Sequence, residues 1–176
     1  MPIHRSIAFT GHRPESLPFG EDETSEPCRA LKTLLWQELK TRVRAGYNTF
    51  YCGAARGSDI FCGELVLLLR PRVQADLQLV CVTPFPQQAD GWSSAWRRRY
   101  DALLQNADRV VQLCDRYAPG CYFERNRYLV EHADALLAVY DGRSRGGTAH
   151  TVRYARHQKK EVVVFDPGGL RKLSLC

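Results

Sequence analysis

The stretch Thr49-Phe50-Tyr51-Cys52-Gly53-Ala54-Ala55-Arg56-Gly57-Ser58-Asp59-Ile60-Phe61 decides the fold class. Its first four residues are a short apolar run of the kind buried in a sheet, and two glycines then bracket a loop. Apolar residues return at Phe61, Leu65, Leu68 and Leu69 with a helical period until Pro71 stops them. The order predicts a strand over Thr49–Cys52, a glycine-bearing loop and a helix over Ser58–Leu69, which together form one βα unit.

The same alternation recurs along the chain. Strand-like runs stand at Ser6–Thr10, Leu77–Val82, Arg109–Leu113, Ala135–Tyr140 and Glu161–Phe165. Between the first two strands lies a helix with Ser25 as its cap, Pro27 in its opening turn, Leu31, Leu35, Leu39 and Val43 on one face, and Gly46 at its exit. Further helices are expected near Ser93–Gln105, Phe123–Ala133 and Thr148–His157. Helices between successive strands imply parallel pairing and right-handed crossovers that cover both sheet faces. The expected fold is a single α/β domain of Rossmann-like, three-layer construction with a mainly parallel sheet of about six strands. It spans residues 1–170, with a short tail over 171–176.

At 176 residues and 44% hydrophobic, the chain has enough apolar material for one substantial core. No apolar run reaches the roughly 20 residues that cross a bilayer, and the start lacks a basic segment leading into a hydrophobic stretch. A cytoplasmic protein without membrane contact is expected. The seven cysteines, at 28, 52, 62, 81, 114, 121 and 176, form no C-x-x-C pair. They fit reduced core thiols better than a disulfide framework or a zinc site, so no metal is expected. A net charge of +6 is compatible with an anionic partner.

Three loops follow strands and would converge at the carboxyl ends of a parallel sheet: Gly11-His12-Arg13-Pro14, Gly53 to Asp59, and Asp141-Gly142-Arg143-Ser144-Arg145-Gly146-Gly147-Thr148. Gly53, Ala54 and Gly57 before one helix, and Gly146 and Gly147 before another, would let backbone N–H groups approach a phosphate. The hydroxyls of Ser58 and Thr148 either add donors or cap their helices. His12 and Arg13 suit ribose or phosphate oxygens. Asp59 suits a ribose hydroxyl or the helix dipole. Glu124, Asp141 and Asp115 are candidate acids or bases near strand ends. Glu15–Glu26 is long enough for a flap over the site.

Taken together, Gly11-His12-Arg13-Pro14, Gly53-x-x-x-Gly57-Ser58-Asp59, and the segment from Glu124-Arg125-Asn126-Arg127-Tyr128 through Asp134–Tyr140 to Gly146-Gly147-Thr148 resemble the YpsA-like branch of the SLOG superfamily. That superfamily is similar in fold to the LOG, or lysine decarboxylase-like, phosphoribohydrolases and to the Rossmann-like part of DNA-processing protein A. The resemblance implies a ligand that is a nucleotide or nucleotide derivative, with NAD or ADP-ribose-like molecules among the candidates. In the LOG enzymes an arginine and the glutamate of a P-G-G-x-G-T-x-x-E motif serve N-glycosidic hydrolysis. Arg125 matches the arginine, whereas Thr151 stands where the glutamate would be and Asp141-Gly142 replaces the proline-glycine opening. Thr151 supplies no carboxylate for an oxocarbenium-like transition state, and the neighbouring His150 points in a different direction on a helix.

Three readings follow. The first is a nucleotide-binding or ligand-sensing module built on Gly11–Arg13, Gly53–Asp59 and Gly146–Thr148, which leaves room for a homo-oligomer. The second is a nucleotide N-glycosidic or phosphoribo-hydrolase with Arg125 stabilising charge and Asp141 or Glu124 as acid/base. The third is a single-stranded nucleic-acid binding module using Arg97–Arg99, Trp96 and Tyr100.

Overall fold

Every strand in the middle of the sheet is apolar on both faces, which only a sheet covered by helices on both sides tolerates. In the computed structural model, which describes residues 4–73 and 76–175, strand β1 spans Arg5–Gly11, β2 Tyr47–Cys52, β3 Gln78–Thr83, β4 Arg109–Gln112, β5 Ala135–Val139, β6 Glu161–Asp166 and β7 Arg171–Leu175. Helices α1 (Glu26–Arg44), α2 (Ser58–Leu69), α3 (Ser94–Asn106), α4 (Cys121–Glu131) and α5 (Gly147–His157) connect them. Among the described residues, no helix is long and apolar enough to cross a membrane.

The sheet runs β4-β3-β2-β1-β5-β6-β7, parallel throughout except for β7, which lies antiparallel to β6. This is the expected Rossmann-like α/β domain with one more strand than foreseen. The residues expected to form a tail after 170 pair with β6 as β7, Leu173 opposite Val164 and Arg171 opposite Asp166. Their mixed composition, Arg-Lys-Leu-Ser-Leu, carries no strand signal of its own. An exposed edge strand needs apolar side chains only on its covered face. Residues 1–3 of the expected domain and Cys176 lie outside the described residues.

Side-chain alternation divides the core. Ile7 and Phe9 of β1, Phe50 and Cys52 of β2, and Leu137 and Val139 of β5 pack with α1, α2 and α3 on one face. Ala8, Tyr51, Leu136, Ala138, Val162 and Val164 meet the helices α4 and α5 on the other. The described cysteines are free thiols, buried except for the half-buried Cys114. Helix α4 starts two residues before the expected Phe123, because Gly120, at φ +88°, turns the chain directly into it.

The order positions the site. From β1 the chain moves outward to β4, then crosses back to place β5 on the other side of β1. The loops leaving β1 and β5 therefore diverge, opening a crevice at the carboxyl ends of the strands.

Candidate functional site

The floor of this crevice is made by close packing. A methyl group on Gly11 would lie 2.4 Å from Ser58 Cβ and 2.9 Å from Val139 Cβ, so glycine is needed where the start of α2 rests on the end of β1. The Ser58 hydroxyl donates to the His12 carbonyl at 2.8 Å and its N–H reaches the same oxygen at 3.3 Å, while the Ile60 N–H donates to the Ala55 carbonyl. Gly57, at φ +83°, brings α2 in at this angle, and a side chain there would strike the His12 carbonyl oxygen. These contacts occupy the Ser58 and Ile60 amides at the start of α2. Gly57 and Ser58 of the expected cradle thus tie α2 to β1, and of this loop Ala55 and Asp59 line the cleft, whereas Gly53, Ala54, Gly57 and Ser58 do not.

The start of α5 behaves in the opposite way. No side chain caps it, and its first backbone bond runs from the His150 N–H to the Gly146 carbonyl. The N–H groups of Gly147, Thr148 and Ala149 consequently have no protein acceptor among the described residues. Gly146 sits at φ +104°, and no heavy atom lies within 4 Å of where its side chain would be. At Gly147 a methyl would meet only Asn126 Nδ2, at 3.9 Å. Both glycines, with Thr148, line an open cleft of about 230 Å³. Thr151 is buried one turn on and donates its hydroxyl back to the Gly147 carbonyl.

Opposite this helix end stands Arg125. The residue is only 4% exposed, with Nη1 donating to the Gly53 carbonyl and Nε to Asn126 Oδ1. A methyl on Gly53 would lie 2.5 Å from Arg125 Nη1 and 2.8 Å from Asp59 Oδ2, so that glycine makes room for a guanidinium and a carboxyl together. Among the described residues, Arg125 has no ion-pair contact with a carboxylate, Asp59 included. Burial raises the Asp59 carboxyl above its ordinary range despite the pull of Arg125, and burial lowers the Arg125 guanidinium. The cleft thus holds a desolvated cation whose nearest carboxylate, Asp59, lies beyond ion-pair distance and acts on it only through space. Arg13, Arg143 and Arg145 add three further guanidinium groups to the wall. Tyr122 lies beneath Arg13 and Arg125, with ring-to-cation distances of 5.4 and 5.9 Å.

A polar chain closes one side. His12 is buried and its Nε2 stands 2.9 Å from Asp141 Oδ1. Arg143 grips both oxygens of that carboxylate and donates through Nη1 to Ser16 Oγ at 3.0 Å. The Arg143 bonds hold the Asp141 carboxyl far below the usual carboxylate range, so it stays ionised and is poorly suited to exchange protons near neutral pH. Asp141 supports the cleft from behind its lining. Glu124 is exposed and lines a separate groove with Leu113, Cys114 and Arg127, not this cleft. Asp115 is exposed as well, and His150 packs edge-on against Phe123.

Two further expectations change. Glu15–Glu26 is a tethered segment: Glu15 and Glu21 pair with Arg56, Glu23 with Lys32 and Arg99, and the Trp96 indole N–H donates to Glu21 at 2.9 Å. Those bonds tie the segment to α1, α3 and the loop before α2 in this structure. They also consume the surface proposed for base stacking. Trp96 and Tyr100 are buried, and Arg99 is bound by Glu23 and Glu64, so only Arg97 and Arg98 of that tract face solvent.

Of the residues singled out in the sequence, the cleft gathers Gly11, His12, Arg13, Asp59, Arg125, Gly146, Gly147 and Thr148. It adds Tyr122, Asn126, Arg143 and Arg145. Tyr122, Arg125 and Asn126 are spaced i, i+3, i+4, so they share one helix face, and that spacing was visible in the sequence.

Fold and cleft define a Rossmann-like α/β domain with a cation-lined crevice at its topological switch. Residues 7–165 match the YspA SLOG family, and the chain belongs to that family. It is 31% identical over 159 residues to the UPF0398 proteins of Bacillus thuringiensis (strain Al Hakam) and Bacillus cereus (strain AH187), covering 89% of this chain and 84% of each relative. Among solved structures it is similar to DNA processing protein A from Helicobacter pylori, described with a single-stranded DNA binding mode. That match has a TM-score of 0.60 at 15% identity over 91% of this chain and 64% of that one. The chain thus spans a little under two thirds of that protein's length, and the likeness is one of fold.

Proposed function

We propose that the cleft binds a phosphorylated ligand of the nucleotide class. The phosphate sits between the open N-terminus of α5 and Arg125, and the sugar lies toward Asp59 and His12. The observation that carries this reading is Arg125 itself: a guanidinium buried without an ion-paired carboxylate, facing unbonded helix amides across open space. A buried charge of this kind is costly unless paired, and an anion shared with a helix N-terminus supplies the partner. The cleft volume of about 230 Å³ falls below the roughly 300–1,000 Å³ usual for small-molecule sites, which favours a mononucleotide over a dinucleotide held along its whole length.

Single-stranded DNA, the ligand named for the structural neighbour, shares phosphate chemistry and is the competing occupant. Isothermal titration with AMP, ADP, NAD, ADP-ribose and a short oligothymidylate tests the reading. Saturable binding of a nucleotide at the cleft supports it. Binding of the oligonucleotide alone, or of none of these, overturns it.

A further inference from the structure

We infer that the cleft takes a nucleoside diphosphate with a free terminal phosphate, and that Arg13 is the specificity-determining residue that holds the inner phosphate; the inference rests on the nucleotide-binding reading and extends it. The terminal phosphate belongs to the α5 side. Asn126 stands beside the open amides of that helix: its Oδ1 accepts from Arg125 Nε, and its Nδ2 lies 3.9 Å from where a Gly147 side chain would begin. Asn126 Nδ2 and Arg125 Nη2 have no protein acceptor among the described residues. Helix amides, a side-chain amide and a guanidinium edge form a set of donors without an acceptor, which suits the three free oxygens of a terminal phosphate.

Arg13 stands on the other wall. Its Cα lies 3.2 Å from the point that a Gly57 side chain would occupy, so it is rooted where β1 meets the start of α2. Helix α2 covers one face of the sheet, whereas α4 and α5 cover the opposite face. Arg125 reaches from α4 across the strand ends to the Gly53 carbonyl and so lies between the two walls. The carboxylates nearest Arg13 in the chain and the cleft are already engaged, Glu15 with Arg56 and Asp141 with Arg143. Among the described residues, Arg13 itself makes no ion pair.

Tyr122 holds the Arg13 guanidinium in place. The ring centre is 5.4 Å from the guanidinium carbon of Arg13 and 5.9 Å from that of Arg125, and the buried Phe85 braces the ring edge-on at 5.6 Å. A guanidinium stacked over an aromatic face keeps its N–H edge free to bind an oxyanion bidentately. Two cations therefore flank one ring. Burial lowers the Arg125 guanidinium most, and the field of Arg13 lowers it further. Adjacent phosphates of one ligand, one at each cation, relieve that repulsion. A monophosphate seated at α5 and Arg125 leaves Arg13 unanswered on the opposite wall, whereas a diphosphate spans from one to the other. Terminal phosphate, inner phosphate and sugar then run from α5 past Arg125 to Arg13, and on to its neighbour His12 and to Asp59, where the binding pose has the sugar.

Isothermal titration of the full chain with AMP, ADP and inorganic pyrophosphate, in buffer free of divalent cations, tests the assignment. ADP should bind the parent about five- to tenfold more tightly than AMP. Arg13→Ala should lose most of that preference, weakening ADP about five- to tenfold and AMP only about twofold. Arg125→Met should weaken both nucleotides by the same factor, because both place their terminal phosphate there. Equal affinity of the parent for AMP and ADP, or an equal loss of both in Arg13→Ala, overturns the inference and leaves the binding reading intact. Pyrophosphate bound as tightly as ADP, or binding of neither nucleotide, overturns the nucleotide reading and the inference with it.

Discussion

Two glycines in neighbouring loops serve opposite purposes, and exchanging each for alanine separates them. At Gly11 the new methyl would have to occupy a point 2.4 Å from Ser58 Cβ, 2.7 Å from Ser58 Oγ and 2.9 Å from Val139 Cβ. Both β1 and β5 are central strands and α2 is pinned against them, so relief must come from moving the helix. Overpacking of this kind costs about 1–3 kcal/mol. Displacing Ser58 also breaks its 2.8 Å bond to the His12 carbonyl, worth roughly another 0.5–1.5 kcal/mol. Gly11→Ala should therefore lower unfolding free energy by about 2–4 kcal/mol in urea denaturation followed by circular dichroism. At Gly147 the methyl meets only Asn126 Nδ2, at 3.9 Å, and stands otherwise in the open cleft. Gly147→Ala should keep or slightly raise stability, since alanine is the better helix former, while weakening nucleotide binding on the order of tenfold, or about 1.4 kcal/mol. A Gly11→Ala loss below about 1 kcal/mol would refute the packing account of β1 and α2. A Gly147→Ala protein with parental affinity would remove the α5 N-terminus from the site.

Other outcomes follow from the same geometry. Arg99→Ala leaves Glu64 without its cation and Glu23 with Lys32 alone, so it should cost roughly 1–3 kcal/mol of stability, checked by thermal melts, yet leave nucleotide affinity unchanged. The folded value of His12 lies below 6.5, so its contribution to stability is present in full above that pH and is lost as pH falls through the folded value. The urea midpoint should decline on acidification from pH 7, and His12→Gln should flatten that decline. Asp141 carries the corresponding carboxylate sign: stability held above 3.8 is lost as pH falls toward its depressed folded value. The gap between the parent and Asp141→Asn should accordingly close in acid.

The strands and helices were legible because each buried one announces itself by period, as at Thr49–Cys52 and Leu31 to Val43. β7 was not, since an edge strand exposed along most of its length has no apolar pattern to show. The loops of the site were also legible as loops, but the roles of their glycines were not. Gly57 and Gly146 both precede a helix and both adopt positive φ, and only the contacts distinguish a packed junction from an open one. The Arg97–Arg99 tract misled for a related reason: its acceptors, Glu64 and Glu23, lie 35 and 76 residues away from Arg99. Such a pairing is set by how α3 packs against α2 and by the route of the loop before α1, which local sequence does not encode.

Replacing the buried guanidinium at the centre of the cleft tests the account most directly. Arg125→Met keeps most of the side chain's length and removes its charge, and titration with ADP of the parent and this variant reads the consequence. A charged hydrogen bond to phosphate contributes about 1.5–3 kcal/mol, so affinity should fall roughly 10- to 150-fold in a protein that still melts cooperatively. Equal affinity in parent and variant, with both folded, would contradict the assignment of this cleft as the phosphate site.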